Sequence, residues 1–322
     1  MPLNVLHFKY RGNAQWGVIR KGAITPIPGA FPTTRAFLDA NSIDALSGLS
    51  GPTLSETEVD LLSPVTQNQQ FLCQGANYRQ HMIESGVNPD AKTFNMIFTK
   101  APSCIAPANS DVVRPSRVRF LDYEIELGLV LKRNVRWAQP VTNANLPEFV
   151  AGAVIVNDYS ARDIQIPEMQ FYKGKSFRTF GPVGPYLCLL EPDDFKRLGE
   201  LQLTLTVNGA VRQRDRLENL VHKPAETLTE LSAVQDLNVG DLLSTGTPAG
   251  CALSVPSPGR QRIAALLPEK MKWKMFMNIQ ARRNQYLKPG DIVESRITTA
   301  DGAIDLGVQR NRIVDAAASQ PV

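Results

Sequence analysis

Three acidic side chains recur at alternate positions in an otherwise apolar stretch of the chain, residues 120–131. The β-branched and leucine residues around them favour a β-strand. Because successive side chains of a strand point to opposite faces, Asp122, Glu124 and Glu126 are expected on one side, with neighbouring carboxylates roughly 7 Å apart. Three such groups repel one another unless a positive charge lies among them. The stretch therefore predicts either a site for a hard divalent cation, which prefers carboxylate ligands, or a solvated and charged sheet edge.

A second apolar stretch places another carboxylate at the end of a strand. Residues 151–156 are hydrophobic and predict a strand that ends just before Asp158, where a further ligand is easily presented. A helical turn after it would put Arg162 and Gln165 on one face. Arg162 either contributes to the same site or simply pairs with Asp158 in a structural salt bridge.

Composition limits both the expected cellular compartment of the protein and the kinds of metal ion that it could bind. The 322 residues are 43% hydrophobic and 20% charged, which is typical of a folded chain with a sizeable core. No apolar run reaches the ~18 residues of a membrane-spanning helix, and the first residues lack the pattern of a secretion signal, so a cytoplasmic protein with no membrane partner is expected. Four cysteines without a CxxC pair predict reduced, mostly buried thiols. With three histidines, a metal would be held mainly by oxygen, which favours Mg²⁺, Mn²⁺ or Ca²⁺.

Strand signals dominate the chain, and the expected fold class is α+β, mostly β. A small β-rich N-terminal module is predicted over residues 1–68, with a hairpin near its start and a short helix capped near Thr33 or Thr34. The polar, proline-containing residues 63–70 mark its boundary with a larger domain over residues 69–322.

Local patterns predict several elements of the larger domain. Asn208-Gly209 favours the positive φ angles of a tight turn, so the residues on either side are expected to form a hairpin. Residues 224–236 begin with a proline and have apolar residues at helical spacing. Gly-Asp pairs at 240–241 and 290–291 are each expected to form a turn that leads into a strand.

Residues 252–288 differ in charge from the rest of the chain, with eight Lys or Arg against a single acid. We consider three interpretations: a partner-facing or substrate-covering excursion, a long solvated insertion between strands, and a nucleic-acid or partner-binding surface. The net charge of +4 is spread along the chain, and the segment lacks the aromatic–basic interleaving of nucleic-acid-binding modules, so nucleic acid is not an expected partner. Such binding would collapse with salt and ignore divalent metal.

Three further segments carry side chains suited to chemistry. His81 and Glu84 share a face if their turn is helical, and the carboxylate would then orient the imidazole and raise its basicity; a plain surface pair has the same spacing. Lys175 lies in a glycine- and proline-rich loop that lacks the spacing of a P-loop. Thr247 lies in a turn that either offers N–H groups and hydroxyls to an anion or is a plain turn.

Five motifs together resemble the fumarylacetoacetate hydrolase family, in family order over roughly residues 70–310. They are Asn77-Tyr78-Arg79-Gln80-His81-Met82-Ile83-Glu84, Asp122-Tyr123-Glu124-Ile125-Glu126-Leu127, Asn157-Asp158-Tyr159-Ser160-Ala161-Arg162-Asp163-Ile164-Gln165, Gly174-Lys175-Ser176-Phe177 and Thr245-Gly246-Thr247-Pro248-Ala249-Gly250. The lysine motif continues here with Arg178, where the family often has an aspartate, and Gln74 replaces an acidic metal ligand of the eukaryotic fumarylacetoacetases. The chain therefore resembles a smaller, bacterial-type member.

The resemblance implies a fold, an assembly and a site. The implied fold is a mixed β-sandwich roll with a few helices and a variable N-terminal region, and the implied assembly is a homodimer. The implied ligands of a divalent metal, usually Mg²⁺ or Mn²⁺ and sometimes Ca²⁺, are Glu124, Glu126 and Asp158. The implied catalytic residues are His81, Glu84 and Lys175. The implied substrate-binding residues are Tyr78, Arg162, Gln165 and Thr247.

The implied activity is hydrolysis of a C–C bond in a 2,4-dioxo acid, such as an acylpyruvate or fumarylpyruvate, in the catabolism of aromatic compounds or amino acids. His81, oriented by Glu84, would take a proton from water, an effect worth about 10²–10⁴-fold, and hydroxide would attack the distal carbonyl. Lys175 would stabilise the developing oxyanion. An isomerase or decarboxylase of 2-oxo or 2-hydroxy-diene-dioic acids would use the same site. The distal group of the substrate is expected to contact loops that include residues 85–95 and 252–288.

Overall fold

Strands make up most of the fold, which we describe from a computed structural model over residues 1–84, 87–91, 94–254 and 267–316. Among these residues the strands form a 13-stranded sheet, a five-stranded sheet and a two-stranded pair. The large sheet contains β1 (Leu3–Tyr10), β2 (Asn13–Arg20), β3 (Ala23–Pro26), β4 (Leu54–Ser55), β5 (Asp60–Leu62), β6 (Phe71–Gly75), β7 (Met96–Lys100), β8 (Ile105–Pro107), β11 (Ile125–Leu131), β12 (Val150–Asn157), β14 (Gly181–Val183), β15 (Leu187–Leu189) and β18 (Leu242–Ser244). The five-stranded sheet contains β9 (Val112–Arg114), β16 (Gln202–Val207), β17 (Ala210–Arg216), β19 (Ile292–Thr298) and β20 (Asp305–Asp315), and the pair consists of β10 (Leu121–Asp122) and β13 (Ser160–Ala161).

Helices are short and lie between the strands. The α-helices of the described residues are α1 (Thr34–Ala40), α2 (Ile43–Ser47), α3 (Arg79–Glu84), α4 (Leu146–Phe149), α5 (Arg162–Gln165), α6 (Phe171–Lys175), α7 (Pro224–Val234) and α8 (Glu269–Ala281). Short 3-10 helices occur at Glu56–Glu58, Pro102–Cys104, Asp194–Glu200 and Leu217–Asn219. The fold class is therefore α+β and mostly β, as predicted.

The centre of the large sheet is covered on both faces. β11 pairs antiparallel with β12 along its length, and every side chain of the two strands is buried. One face, which carries Leu127 and Ile155, packs in a core with β16, β19 and β20. The other face, which carries Val130 and Val154, packs with α1 and the N-terminal strands. A polar side chain on either central strand is therefore enclosed by the two cores, and the acidic residues lie in this region.

The N-terminal residues form the predicted hairpin and helix. β1 and β2 pair antiparallel around a turn at residues 11–12, both of which have positive φ angles. Thr33 caps α1 by accepting a backbone N–H group with its side chain. β1 also pairs with β15, so the N-terminal strands extend the large sheet. The domain boundary at residues 68–69 stays a prediction.

The predicted elements of the larger domain are also present. β16 and β17 form a hairpin through Asn208-Gly209, and both turn residues have positive φ angles. α7 lies within the predicted range, residues 224–236. The Gly-Asp turns at 240–241 and 290–291 lead directly into β18 and β19.

The basic segment is described in part, because residues 255–266 lie outside the described ranges. α8 forms much of its remainder and exposes Met271, Met275 and Ile279 at helical spacing. The three interpretations of this segment stay predictions. Across the described residues, no helix combines the length and the apolar character needed to cross a bilayer.

Candidate metal centre and active site

The acidic stretch is not one continuous strand, and that expectation is wrong. β10 ends at Asp122 and β11 begins at Ile125. At this break, the backbone N–H of Glu124 donates to Oδ1 of Asn157 at 3.0 Å, and the N–H of Ile125, the first residue of β11, donates to Oε1 of Gln213 at 3.0 Å. Side chains from remote parts of the chain thus replace the ladder hydrogen bonds of a strand. The break gives Asp122 a different role from the other two carboxylates.

Three carboxylates converge where β11 and β12 meet. Glu124 precedes β11, Glu126 lies within it, and Asp158 directly follows β12. Oxygen atoms of the three groups lie within 4.8 Å of one another, and the residues are at most 5% exposed. A solvated sheet edge is therefore the wrong interpretation, and the fold brings together the three carboxylates that the family resemblance implied.

Two buried lysines neutralise part of this acidic cluster. Lys175 Nζ lies 2.6 Å from Oε2 of Glu124 and 2.6 Å from Oδ2 of Asp158. Lys100 Nζ lies 2.5 Å from Oδ1 of Asp158. Burial lowers the pKa of Lys175, but the charges of Asp158 and Glu124 outweigh it and raise that pKa above its ordinary value. Lys175 is therefore charged at neutral pH, in contact with two of the three carboxylates.

Asp122 fixes the positions of two segments beside the carboxylate cluster. Its carboxylate accepts a hydrogen bond from Nε of Arg162 at 2.8 Å. It also accepts hydrogen bonds from the backbone N–H groups of residues 252–253 at 2.7 and 3.0 Å. Arg162 also forms a buried ion pair with Glu124. Because these two carboxylates bind the guanidinium, the alternative in which Arg162 pairs with Asp158 is wrong.

The charge balance of the cluster favours a further positive charge. Burial raises the pKa of Glu126, the charges of Asp158 and Glu124 raise it further, and it reaches about 8. For Glu124, burial is outweighed by the charges of Arg162 and Lys175, so its pKa falls below the ordinary value. At neutral pH Glu126 therefore keeps a proton as long as no divalent cation is bound to the cluster.

The donor set fits a hard divalent cation. With every group ionised, four buried carboxylates, including that of Asp122, face three buried cations, which leaves one net negative charge. A divalent cation in place of the proton on Glu126 would change this to one net positive charge. Three carboxylates suit Mg²⁺, Mn²⁺ or Ca²⁺, so Glu124, Glu126 and Asp158 can hold such an ion. Which of these metals it is stays a prediction.

The end of β18 and the turn after it orient a side chain of the cluster. Oε2 of Glu126 accepts the backbone N–H of Gly246 at 3.0 Å and the hydroxyl of Ser244. The hydroxyl of Thr247 donates to the carbonyl of Ile125 at 2.9 Å. The turn therefore orients Glu126 and fixes the start of β11, and the binding of an anion by this turn stays a prediction.

A cavity of about 250 Å³ borders the carboxylates. It is lined by Gln74, Gly75, Ala76, His81, Val87, Met96, Phe98, Glu124, Glu126, Arg162, Gln165, Ile166, Phe171, Lys175, Thr247 and Leu253. Val87 and Leu253 belong to the two stretches that were expected to contact the distal group of a substrate. Most of the implied site residues thus share one small chamber.

His81 lies in this chamber, whereas Glu84 does not. A ring nitrogen of His81 lies within 4.8 Å of a carboxylate oxygen of Glu124. Burial lowers the pKa of His81, although the charge of Glu124 opposes the shift, so the imidazole is neutral at pH 7. Glu84 is exposed at the end of α3, and within the described ranges no hydrogen bond joins it to His81. The proposed His81–Glu84 pair stays a prediction.

Three of the four implied substrate-binding residues reach the cavity. Arg162, Gln165 and Thr247 line it, and Oε1 of Gln165 accepts a hydrogen bond from Nη1 of Arg162 at 2.7 Å. Tyr78 is fully buried in the core and is not part of the lining. The structure therefore does not bring Tyr78 to the cavity, and the roles of the other three stay predictions.

Comparison with known proteins identifies the family. Residues 70–314 match the family described as Fumarylacetoacetate (FAA) hydrolase C-terminal. The chain belongs to the fumarylacetoacetate hydrolase family. The matched region runs from the start of β6 almost to the end of β20 and contains every motif on which the resemblance rested.

Named relatives in the fumarylacetoacetate hydrolase family include a hydrolase and a tautomerase. The chain is 34% identical over 247 residues to a 2,4-didehydro-3-deoxy-L-rhamnonate hydrolase from Sphingomonas sp., covering 76% of this chain and 83% of that protein. It is 32% identical over 207 residues to the oxaloacetate tautomerase YisK from Bacillus subtilis, covering 63% and 67%. A fumarylacetoacetate hydrolase structure from Exiguobacterium antarcticum matches 98% of this chain and 100% of its own, with 26% identity and a TM-score of 0.75.

Lys100 is a group of the site that sequence reasoning missed. It ends β7 after the residues Met-Ile-Phe-Thr, and a lysine at a strand end ordinarily reaches solvent. Its partner Asp158 is 58 residues away in the chain. No local pattern marks such a pair, and only the pairing of the strands brings the two groups together.

Replacing Lys100 with methionine keeps an unbranched side chain but removes the positive charge beside Asp158. Loss of one partner from a buried ion pair costs about 3–5 kcal/mol, and we expect a value near the lower limit because Lys175 still contacts Asp158. Urea denaturation with a chelator present measures the free energy of unfolding. The control is Lys196→Met, which removes an exposed ion pair with Asp193 and should change little. Equal stability of Lys100→Met and the unchanged protein would contradict the buried pair.

Proposed function

We propose that this protein is a metal-dependent hydrolase that cleaves a C–C bond in a 2,4-dioxo acid. The observation that carries the proposal is the position of His81, a neutral imidazole in the cavity within 4.8 Å of Glu124. A base in this place can take a proton from a water molecule beside a polarised carbonyl group. The Sphingomonas relative supports the substrate class, because its name describes an acid with carbonyl groups at carbons 2 and 4.

Charge and size favour a small acid in this cavity. With a divalent cation bound, the buried groups carry one net positive charge, which the carboxylate of a 2-oxo acid neutralises. A cavity of about 250 Å³ suits a small substrate. Its lining includes Met96, Phe98, Phe171 and Leu253, and such side chains suit an apolar distal acyl group.

Hydrolysis requires polarisation of a carbonyl group and a base. A divalent cation held by Glu124, Glu126 and Asp158 would supply the Lewis acid that polarises the substrate. His81 takes a proton from water, and the resulting hydroxide attacks carbon 4. The bond between carbons 3 and 4 then breaks, its electron pair stays with the pyruvate fragment, and carbon 3 takes the proton back from His81. The ammonium group of Lys175 stabilises the negative charge of the departing enolate.

Keto–enol tautomerisation of a 2-oxo acid such as oxaloacetate is the second candidate. Glu84 is exposed and, in the described part of the chain, not hydrogen-bonded to His81, which favours a reaction that needs no oriented water. Tautomerisation requires one base to remove a proton from carbon 3 and return it to oxygen, and His81 can do this alone. The Bacillus subtilis relative named oxaloacetate tautomerase supports this candidate.

Glutamine in place of Glu84 separates the two candidates. If Glu84 orients His81 toward water, Glu84→Gln should lower kcat for acylpyruvate cleavage by about 10–100-fold, as loss of an orienting partner does elsewhere. Oxaloacetate tautomerisation by the same variant should be unchanged. Loss of acylpyruvate and of the oxaloacetate enol, both followed by absorbance, measures the two rates. A 2-hydroxy-diene-dioate completes the panel of substrates.

The matched control is Glu218→Gln, which alters an exposed glutamate of another segment and should affect neither rate. Fast interconversion of oxaloacetate with no cleavage of any 2,4-dioxo acid would contradict the hydrolase proposal and favour the tautomerase.

A further inference from the structure

Three donors of different chemistry meet beside the carboxylate cluster. A ring nitrogen of His81, a carboxylate oxygen of Glu124 and the sulfur of Cys251 all lie within 4.8 Å of one another. Sγ of Cys251 is 3.8 Å from Oε1 of Glu124. The donors come from α3, from the break before β11 and from the turn after β18. We propose that these three side chains form a second metal site, for a borderline cation such as Zn²⁺, which shares Glu124 with the oxygen site.

The donor set distinguishes this site from the carboxylate cluster. Zn²⁺ binds cysteine sulfur at about 2.3 Å and histidine nitrogen at about 2.0–2.1 Å in tetrahedral sites, so the ligands of one ion lie within about 4 Å of one another. The observed separations, at most 4.8 Å, approach this value before any side chain rotates. Mg²⁺ prefers oxygen and gains little from nitrogen and sulfur donors. Three protein donors also leave a fourth position for water.

The backbone on both sides of Cys251 is fixed. Gly250 has a φ angle of +108°, and a Cβ atom there would lie 2.1 Å from the carbonyl oxygen of Arg212, so the turn that presents Cys251 requires glycine. The N–H groups of residues 252–253 donate to the carboxylate of Asp122. Cys251 is partly exposed, whereas the other three cysteines are buried. The thiol is therefore held at the cluster, where it is buried beside Glu124.

Occupation of this site would stop turnover, a consequence that rests on the proposed function. Zn²⁺ replaces the proton of the Cys251 thiol, which passes to solvent, and binds the ring nitrogen of His81. The imidazole can then no longer accept a proton from water or from carbon 3. Zn²⁺ should therefore inhibit the Mg²⁺-loaded protein through Cys251.

Titration of the Mg²⁺-loaded, 322-residue protein with Cd²⁺ tests the site without a measurement of activity. Cd²⁺ is a softer analogue of Zn²⁺, and its bond to a thiolate produces an ultraviolet charge-transfer band. We expect a saturable band in the unchanged protein, its loss in Cys251→Ser and a weaker affinity in His81→Ala. Glu126→Gln alters only the oxygen site and should keep the band. A band of equal strength in Cys251→Ser would overturn the proposal.

Inhibition by Zn²⁺ is measured in parallel. The unchanged protein should be inhibited at concentrations at least about tenfold below those needed for Cys251→Ser, in line with the loss of one ligand. A Cys251-dependent band in a protein that turns over no 2-oxo acid would leave the second site standing and remove the proposed function. Turnover of a 2-oxo acid with no Cys251-dependent band would overturn the second site and leave the proposed function standing.

Discussion

Glutamine in place of Glu126 is expected to lower kcat/KM by about 10³-fold or more, because several kcal/mol of carbonyl polarisation are lost with the cation. Glu126 is buried on β11, and the N–H of Gly246 already fixes one of its oxygens. The amide keeps the shape of the side chain but removes the charge that attracts a divalent ion. Cleavage of an acylpyruvate, together with Mn²⁺ binding by equilibrium dialysis, measures both effects.

Stability provides an internal check on Glu126→Gln. The pKa of Glu126 is about 8 without a cation, so the carboxyl group is already protonated at neutral pH and an amide resembles it. With a chelator present, the variant should therefore unfold at nearly the same urea concentration as the unchanged protein. Glu148→Gln, which alters an exposed glutamate, is the matched control for activity. Normal turnover by Glu126→Gln would exclude Glu126 from the metal site.

Alanine in place of His81 is expected to lower kcat by about 10²–10⁴-fold, which is the usual contribution of a general base. The three carboxylates remain in this variant, so Mn²⁺ should bind as tightly as in the unchanged protein. Both acylpyruvate cleavage and oxaloacetate tautomerisation should be affected, because both candidate reactions use the imidazole. Stopped-flow absorbance with each substrate, at saturating metal, measures the loss.

Gln80→Ala is the control for His81→Ala, since Gln80 is exposed on the same helix. Added imidazole should restore part of the activity of His81→Ala and none of that of Glu126→Gln. If His81→Ala turns over both substrates at the normal rate, the base lies elsewhere and neither candidate mechanism holds.

Local sequence properties marked the acidic residues as candidates, and the resemblance to the family selected three of them. Alternation along a strand predicted Asp122, Glu124 and Glu126 on one face, and a strand end predicted a further ligand at Asp158. The pairing of β11 with β12 brings Glu124, Glu126 and Asp158 together. Continuity of the acidic strand was predicted wrongly, because the side chains that interrupt it, Asn157 and Gln213, come from elsewhere in the chain. A local pattern contains no information about such partners.

The buried cations and the thiol were beyond local prediction for the same reason. Lys100 ends an ordinary strand, and its contact with Asp158 depends on how two distant strands are arranged. The spacing of the cysteines predicted mostly buried thiols, but it did not predict that the thiol of Cys251 lies beside Glu124. Partners far apart in sequence become visible only once the fold is known.

Metal titration of the chelator-stripped protein tests most directly whether Glu124, Glu126 and Asp158 hold a catalytic cation. The stripped protein should be inactive toward every 2-oxo acid, and activity should return in proportion to the Mn²⁺ or Mg²⁺ that binds. Asp158→Asn and Glu126→Gln should neither bind the ion tightly nor regain activity. Full turnover by the stripped protein, or equally tight binding in both variants, would contradict a cation at this cluster.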